Sequence, residues 1–244
     1  MSKNLLPVMD LANIATLPLH ERRQRLEAKR KFVPPHSLEH TRRNIGMLLG
    51  VGDPLFPDHP RPTDDEILRQ FKGRLPKGEN RAKRDRVANL KRARALLEFS
   101  SCSISRAALE PHRAFPLAEG TFIRTADPVV LEVDGRMCIP SSDLRKSGTL
   151  SERALAFYFS INFHMIVDYD PVFADFDLVH LDYWEKDKDE LGIVPIFHSG
   201  PPVYTYEDVD QRIRETLKIW DDVVQGSKRR SRGDDNGYWF GQTG

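Results

Sequence analysis

The chain has 244 residues, 39 % hydrophobic and 30 % charged, which is enough apolar content for a folded core and excludes a disordered composition. No apolar run approaches the ~20 residues of a membrane-spanning helix, and the N-terminal stretch lacks the basic-then-apolar pattern of a secretory signal, so a cytoplasmic protein without membrane contact is expected. The formal charge of +1 hides an asymmetry: residues 1–98 carry 21 Lys/Arg against 12 Asp/Glu, and residues 168–222 carry 5 against 15. Halves of opposite sign fit two different partners or attraction between the halves. Cys102 and Cys138 are too few for a disulfide framework and have no metal-ligand spacing.

In chain order, residues 1–18 read as an extended or short helical lead-in broken by Pro7 and Pro18. Pro18 suits the first turn of a charged helix running to about Lys31, with few strong apolar positions and hence a surface place. After Pro34-Pro35, Ser37 can cap a helix over SLEHTRRNIGMLLG, with Gly50 as its stop. The next stretch, GVGDPLFPDHPRP from Gly50 to Pro62, holds two glycines and four prolines and forms no regular helix or central strand. Its adjacent Leu55 and Phe56 have two readings. They are anchors tucked into the loop's own core, or a short linear motif on a stiff loop whose restricted backbone lowers the ordering cost of binding.

Thr63 and Glu66 have capping-box spacing and open a short helix through Phe71. Beyond the breakers Gly73, Pro76 and Gly78, a longer helix is expected from about Glu79 to Phe99. Its inward stripe is Val87, Leu90 and Leu97, and Arg81, Lys83, Arg84, Arg86, Lys91, Arg92 and Arg94 cover the rest. Two helices with the second one basic resemble a helix-turn-helix, although the turn is long for one. Arg81, Arg84, Lys91 and Arg94 are therefore candidates for contact with nucleic acid or an acidic partner.

Residues 101–120 read as a connector between a helical, basic region (1–100) and an α+β core domain (121–226), with a flexible tail at 227–244. Strands are expected at 121–124, 129–133 and 136–139, the last two flanking Asp134-Gly135, a dipeptide suited to a two-residue hairpin turn. Thr149 and Glu152 have capping-box spacing. Residues 155–167 fit either a strand, with Phe157, Phe159, Ile161, Phe163, Met165 and Val167 on one face, or a buried helix whose polar stripe is Arg153, Ser160, His164 and Asp168. The helix-favouring start at Ser151–Leu155 tips the balance to a helix. A strand follows over Phe176–Trp184, and Pro195 marks Ile193–Phe197 as an edge. Thr205 caps a last helix whose stripe is Val209, Ile213, Leu217, Trp220 and Val224. The expected class is α+β: a helical, basic N-terminal half, then a small mixed sheet with a buried central helix and a C-terminal amphipathic helix.

Catalytic residue types are present without persuasive spacing. His164 with Asp168, and His180 with Asp182, are candidates for a metal or acid–base cluster. A nuclease motif pairing an acid with acid-x-Lys is approached only by Glu132-Val133-Asp134, which lacks the lysine, and by Asp143-Leu144-Arg145, which has arginine in its place. No phosphate-cradling or nucleophile-elbow motif occurs, no cofactor is implied, and no catalytic residue is assigned.

The order of the PLF-containing loop, the TDDEI helix, the VANLKRARAL helix, the VDGRMCIPSSDLRKSGTLSERALAFYFSINFHMI core and the ETLKIWDDVV helix resembles the SocB-type toxins, the replication-inhibiting half of a bacterial toxin–antitoxin pair. The resemblance implies a non-enzymatic toxin that occupies the DNA-polymerase sliding clamp and is held in check by an adaptor antitoxin, SocA, which delivers it to the ClpXP protease. Clamp ligands of this kind end in Leu-Phe or Leu-x-Phe, often after a glutamine. Asp53, Pro54, Leu55 and Phe56 offer that ending, with Gly52 where the glutamine would stand.

Overall fold

The computed structural model describes residues 6–32, 37–51, 62–102, 104–108, 115–117, 121–123, 127, 129–145 and 150–234. Its helices are α1 (Val8–Ala15), α2 (Leu19–Lys31), α3 (Glu39–Arg43), α4 (Ile45–Leu48), α5 (Asp64–Arg74), α6 (Arg81–Cys102), α7 (Glu152–Asn162) and α8 (Tyr206–Asp234). A five-stranded mixed sheet has the order β1 (Ile104–Ala108), β4 (Val129–Val133), β5 (Arg136–Ser142), β6 (Asp177–Asp187), β7 (Glu190–His198). Strands β2 (Phe115–Leu117) and β3 (Thr121–Ile123) form a separate antiparallel pair. The class is α+β.

Side-chain alternation along the strands decides the layering. Successive residues of a strand point to opposite faces. Val130, Ile139 and Leu178 pack into one apolar cluster, whereas Val129, Leu131, Val133, Cys138, Val179, Leu181 and Tyr183 pack into another. The sheet is thus buried on both faces. The first cluster is completed by α1, α2, α7 and α8, the second by α4, α5 and α6. Both clusters draw on residues before 100 and after 121, so the stretch at 101–120 divides the sequence but not the core.

Local chemistry explains most elements. Asp134 (φ 52°) and Gly135 (φ 75°) are both left-handed, as the turn joining β4 to β5 requires. Strands β5 and β6 are the one parallel pair of the sheet, so the chain must cross over between them, and α7 is that crossover. Thr149 lies outside the described residues, and the cap of α7 is Ser151, whose Oγ accepts the Ala154 N–H. At Phe163–Val167 the helix widens to one π-type turn, with the Asp168 N–H donating to the Phe163 carbonyl at 2.9 Å. Residues 155–167 are therefore helical, and the strand alternative falls. Thr205 caps α8 by accepting the Asp208 N–H at 3.2 Å.

Several expectations need correction. The lead-in takes the short-helical of its two expected forms, α1, and is more than a lead-in: Leu11, Ala12 and Ala15 are fully buried because α1 is held between α7 and α8. The helix expected after Ser37 is two short ones, α3 and α4, separated at Asn44. The connector contains the end of α6 and strand β1, which pairs antiparallel with β4. Helix α8 continues to Asp234, past residue 226, while Tyr238, Trp239 and Phe240 lie outside the described residues. On α6, Val87 is 47 % exposed, whereas Asn89, Arg92, Ala93 and Leu96 are buried. The helix turns its alanines and two polar side chains inward because those polar groups find partners. The Asn89 carboxamide accepts the Thr41 N–H and hydroxyl at 2.9 and 2.8 Å, and Arg92 donates to the Leu144 carbonyl at 2.6 Å.

Candidate functional site

The segment that carries Asp53, Pro54, Leu55 and Phe56 lies outside the described residues, and its two flanks do not. Upstream, α4 ends in a complete left-handed cap. Gly50 has φ 75°, its N–H donates to Met47 O at 3.1 Å, and the Val51 N–H donates to Gly46 O at 2.9 Å. Downstream, Thr63 Oγ1 accepts the Glu66 N–H at 3.3 Å and the Glu66 carboxylate accepts the Thr63 N–H at 2.9 Å, a reciprocal capping box. Those hydrogen bonds from Thr63 hold the Glu66 carboxyl below its usual range. Leu48 and Leu49 before the segment, and Ile67 and Phe71 after it, are buried in the same apolar cluster. Both flanks are thereby rooted in one core, against the long helix α6.

Of the four basic candidates on α6, Arg81, Arg84 and Arg94 are exposed and make no ion pair among the described residues. Lys91 is committed elsewhere: its ammonium pairs with Asp189 at 2.8 Å and donates to the Lys188 carbonyl at 3.0 Å, pinning the β6–β7 turn to α6. Arg92 belongs to the interior, only 8 % exposed, and burial lowers its pKa. Periodicity alone placed Arg92 on the outer surface because arginine is seldom interior; its carbonyl partner, Leu144, is 52 residues away in sequence. Helices α5 and α6 are joined through Leu75–Asn80, and the inward face of α6 is occupied by the core.

The two histidines are not brought together as a metal cluster. Among the described residues no group of three or more His, Cys, Asp or Glu is placed to hold a metal ion. His164 Nε2 lies 2.9 Å from the Tyr204 carbonyl, and Ser160 Oγ accepts the Tyr204 N–H at 3.1 Å, so the polar stripe of α7 clips down the segment before α8. The carbonyl partner puts the proton on Nε2, and Nδ1 faces Asp168 at 3.6 Å. His180 is 2 % exposed beside Ser141 Oγ (3.3 Å), and burial pushes its pKa down, keeping it neutral. Asp182 is half-buried on β6, and Asp168 is exposed.

One acidic position weighed for a nuclease motif, Asp143, has a structural task. Arg145, standing where a catalytic lysine would be, donates to Asp143 at 2.8 Å and to Asp10 of α1 at 2.5 Å. Burial pulls its pKa down, but the two carboxylates outweigh it and raise the net value. Asp10 also pairs with Lys29 of α2 at 2.5 Å. A short hydrogen bond from Ser142 (2.8 Å) anchors Asp127, whose carboxyl burial raises to about 6. These groups fasten layers together. A shallow depression is lined by Arg22, Asp208, Gln211, Arg212 and Glu215, with Arg22 and Glu215 paired at 3.0 Å.

No helix among the described residues is long and apolar enough to cross a membrane. No curated protein matches the chain, and neither does any solved structure. A family model described as the sliding clamp-binding bacterial toxin SocB matches residues 9–232, from within α1 almost to the end of α8. With nearly its whole length matched, the chain belongs to the SocB family of sliding clamp-binding bacterial toxins.

Proposed function

We propose that this chain halts DNA replication by occupying the peptide pocket of the DNA-polymerase sliding clamp with Leu55 and Phe56, flanked by Asp53 and Pro54. The observation that carries the reading is the pair of helix caps at Gly50–Val51 and Thr63–Glu66, both rooted in one apolar cluster. Fixing both ends of a peptide segment restricts it, and pre-ordering of a ligand lowers the cost of binding. Two adjacent large apolar side chains then supply the few anchors that dominate such an interface. The action inferred is occupancy rather than catalysis: no catalytic motif is legible in the sequence, and His164, His180, Asp143 and Arg145 are engaged with neighbouring groups of the fold.

The same reading includes control in the cytoplasm by an adaptor antitoxin that delivers the toxin to ClpXP. Family membership is its support. The test is Leu55→Ala with Phe56→Ala in the full chain. Clamp binding by the purified protein falls at least ~100-fold, as for the loss of two hot-spot anchors, growth inhibition disappears, and Tm stays where it was. An early-melting or aggregating double variant would instead make these residues core and end the motif reading. Depletion of the adaptor or of ClpX should raise the toxin's cellular half-life; an unchanged half-life sinks the control scheme alone.

A further inference from the structure

The turn between α5 and α6 gathers a cluster of exposed positive charge. Between positions 72 and 84 stand Lys72, Arg74, Lys77, Arg81, Lys83 and Arg84, against the single carboxylate of Glu79. All six cations are exposed. Arg74 donates to the Asn44 side-chain oxygen, and the other five make no ion pair among the described residues. Asp85, the next acid along, is occupied by the Ser37 N–H at 2.7 Å. On the outward face of α6 the charge continues to Arg94, about 16 Å from Lys83 at the helical rise.

This placement runs against local helix chemistry. Each other helix of eight or more residues has a carboxylate in its first turn: Asp10, Glu21, Asp64, Glu152 and Glu207. Helix α6 has none there, and has Arg81, Lys83 and Arg84 instead. Cations at the positive end of the helix dipole are destabilising. A local rule broken without a compensating contact inside the fold is the mark of a surface that serves an outside partner.

We propose that this surface binds the sugar-phosphate backbone of duplex DNA without reading its sequence. Charge complementarity is what favours phosphate over a protein partner. A protein interface needs a desolvated core poor in charge, and here a single exposed apolar residue, Val87, lies among guanidinium and ammonium groups. Phosphate rows need only cations spread along a surface. The inference stands apart from the Leu55–Phe56 motif, because no residue is shared between them.

The test is fluorescence anisotropy of the full-length protein with a labelled duplex of about 20 base pairs and arbitrary sequence. Affinity should fall roughly 10²- to 10³-fold between about 50 and 200 mM salt, the range for four or five neutralised phosphates. The variant Arg81→Gln, Lys83→Gln, Arg84→Gln should lower the slope of log affinity against log salt by about 3 and leave Tm unchanged or slightly raised. Leu55→Ala with Phe56→Ala should bind the duplex as wild type does. Absence of duplex binding at about 50 mM salt, or an unaltered slope in the triple variant, overturns the proposal. So does salt-sensitive self-association without DNA binding, which would assign the cations to the acidic half of a second copy.

Discussion

The two faces of the sheet use charge differently. On the side of α1, α2, α7 and α8, ionic groups are consumed internally: Lys29–Asp10–Arg145–Asp143 ties two helices to the end of β5, and Arg22–Glu215 ties α2 to α8. On the side of α3 to α6, Arg92 is buried against the Leu144 carbonyl and Lys91 pairs with Asp189, while Asn89 and the backbone caps do the remaining polar work and the cations at residues 72–84 stay exposed. A face whose charges are neutralised within the fold is a structural face; one that holds charges apart, beside a segment with capped flanks, is available for partners. The basic N-terminal half of the sequence is therefore not one functional unit. It is divided by the sheet, with α1 and α2 stabilising one side and α3 to α6 presenting the other.

Substitutions can test how separate the faces are. The largest effect is expected from Phe71→Ala, which empties a fully buried aromatic site beneath α5. It should cost about 3–5 kcal/mol in urea denaturation and weaken clamp binding, because one root of the capped segment is lost. Retained stability would mean that α5 is not part of the cooperative core. Next comes Asp10→Ala on the opposite face. It leaves Lys29 and Arg145 without their shared carboxylate and should cost about 2 kcal/mol, the usual scale for hydrogen bonds to charged groups. Clamp affinity measured well below the new melting point should not change; if it falls, the faces communicate. The smallest effect belongs to Thr63→Ala, which removes the capping box at a cost of about 1 kcal/mol. Here clamp affinity should drop while the opposite face, followed by hydrogen exchange at α7, keeps its protection.

What was legible in the sequence followed from local rules. Asp134-Gly135, Thr63-x-x-Glu66, Thr205 and Gly50 each act within a few residues, so their turn and caps needed no knowledge of the rest of the chain. The stripe Val209–Ile213–Trp220 also marked α8 correctly, because a one-sided helix buries the side its period predicts. Residues 155–167 were harder. A helix enclosed by α1, α8 and the sheet is apolar nearly all round, and period two and period 3.6 then fit the same letters. Val87 and Arg92 on α6 exchanged places with expectation because Leu144 and Asn89's partner Thr41 lie some fifty positions away, beyond any window of local pattern.

By itself, then, the sequence determined the short-range geometry, the α+β class and, through family likeness, the sliding clamp as partner. It also contained the six cations of residues 72–84 as letters. Only the tertiary structure decided which charges are free. Ion pairs such as Arg145–Asp10 and Lys91–Asp189 join residues 135 and 98 positions apart, and whether a charge is neutralised depends on what the fold carries to within hydrogen-bonding distance, a property of packing that no local pattern encodes.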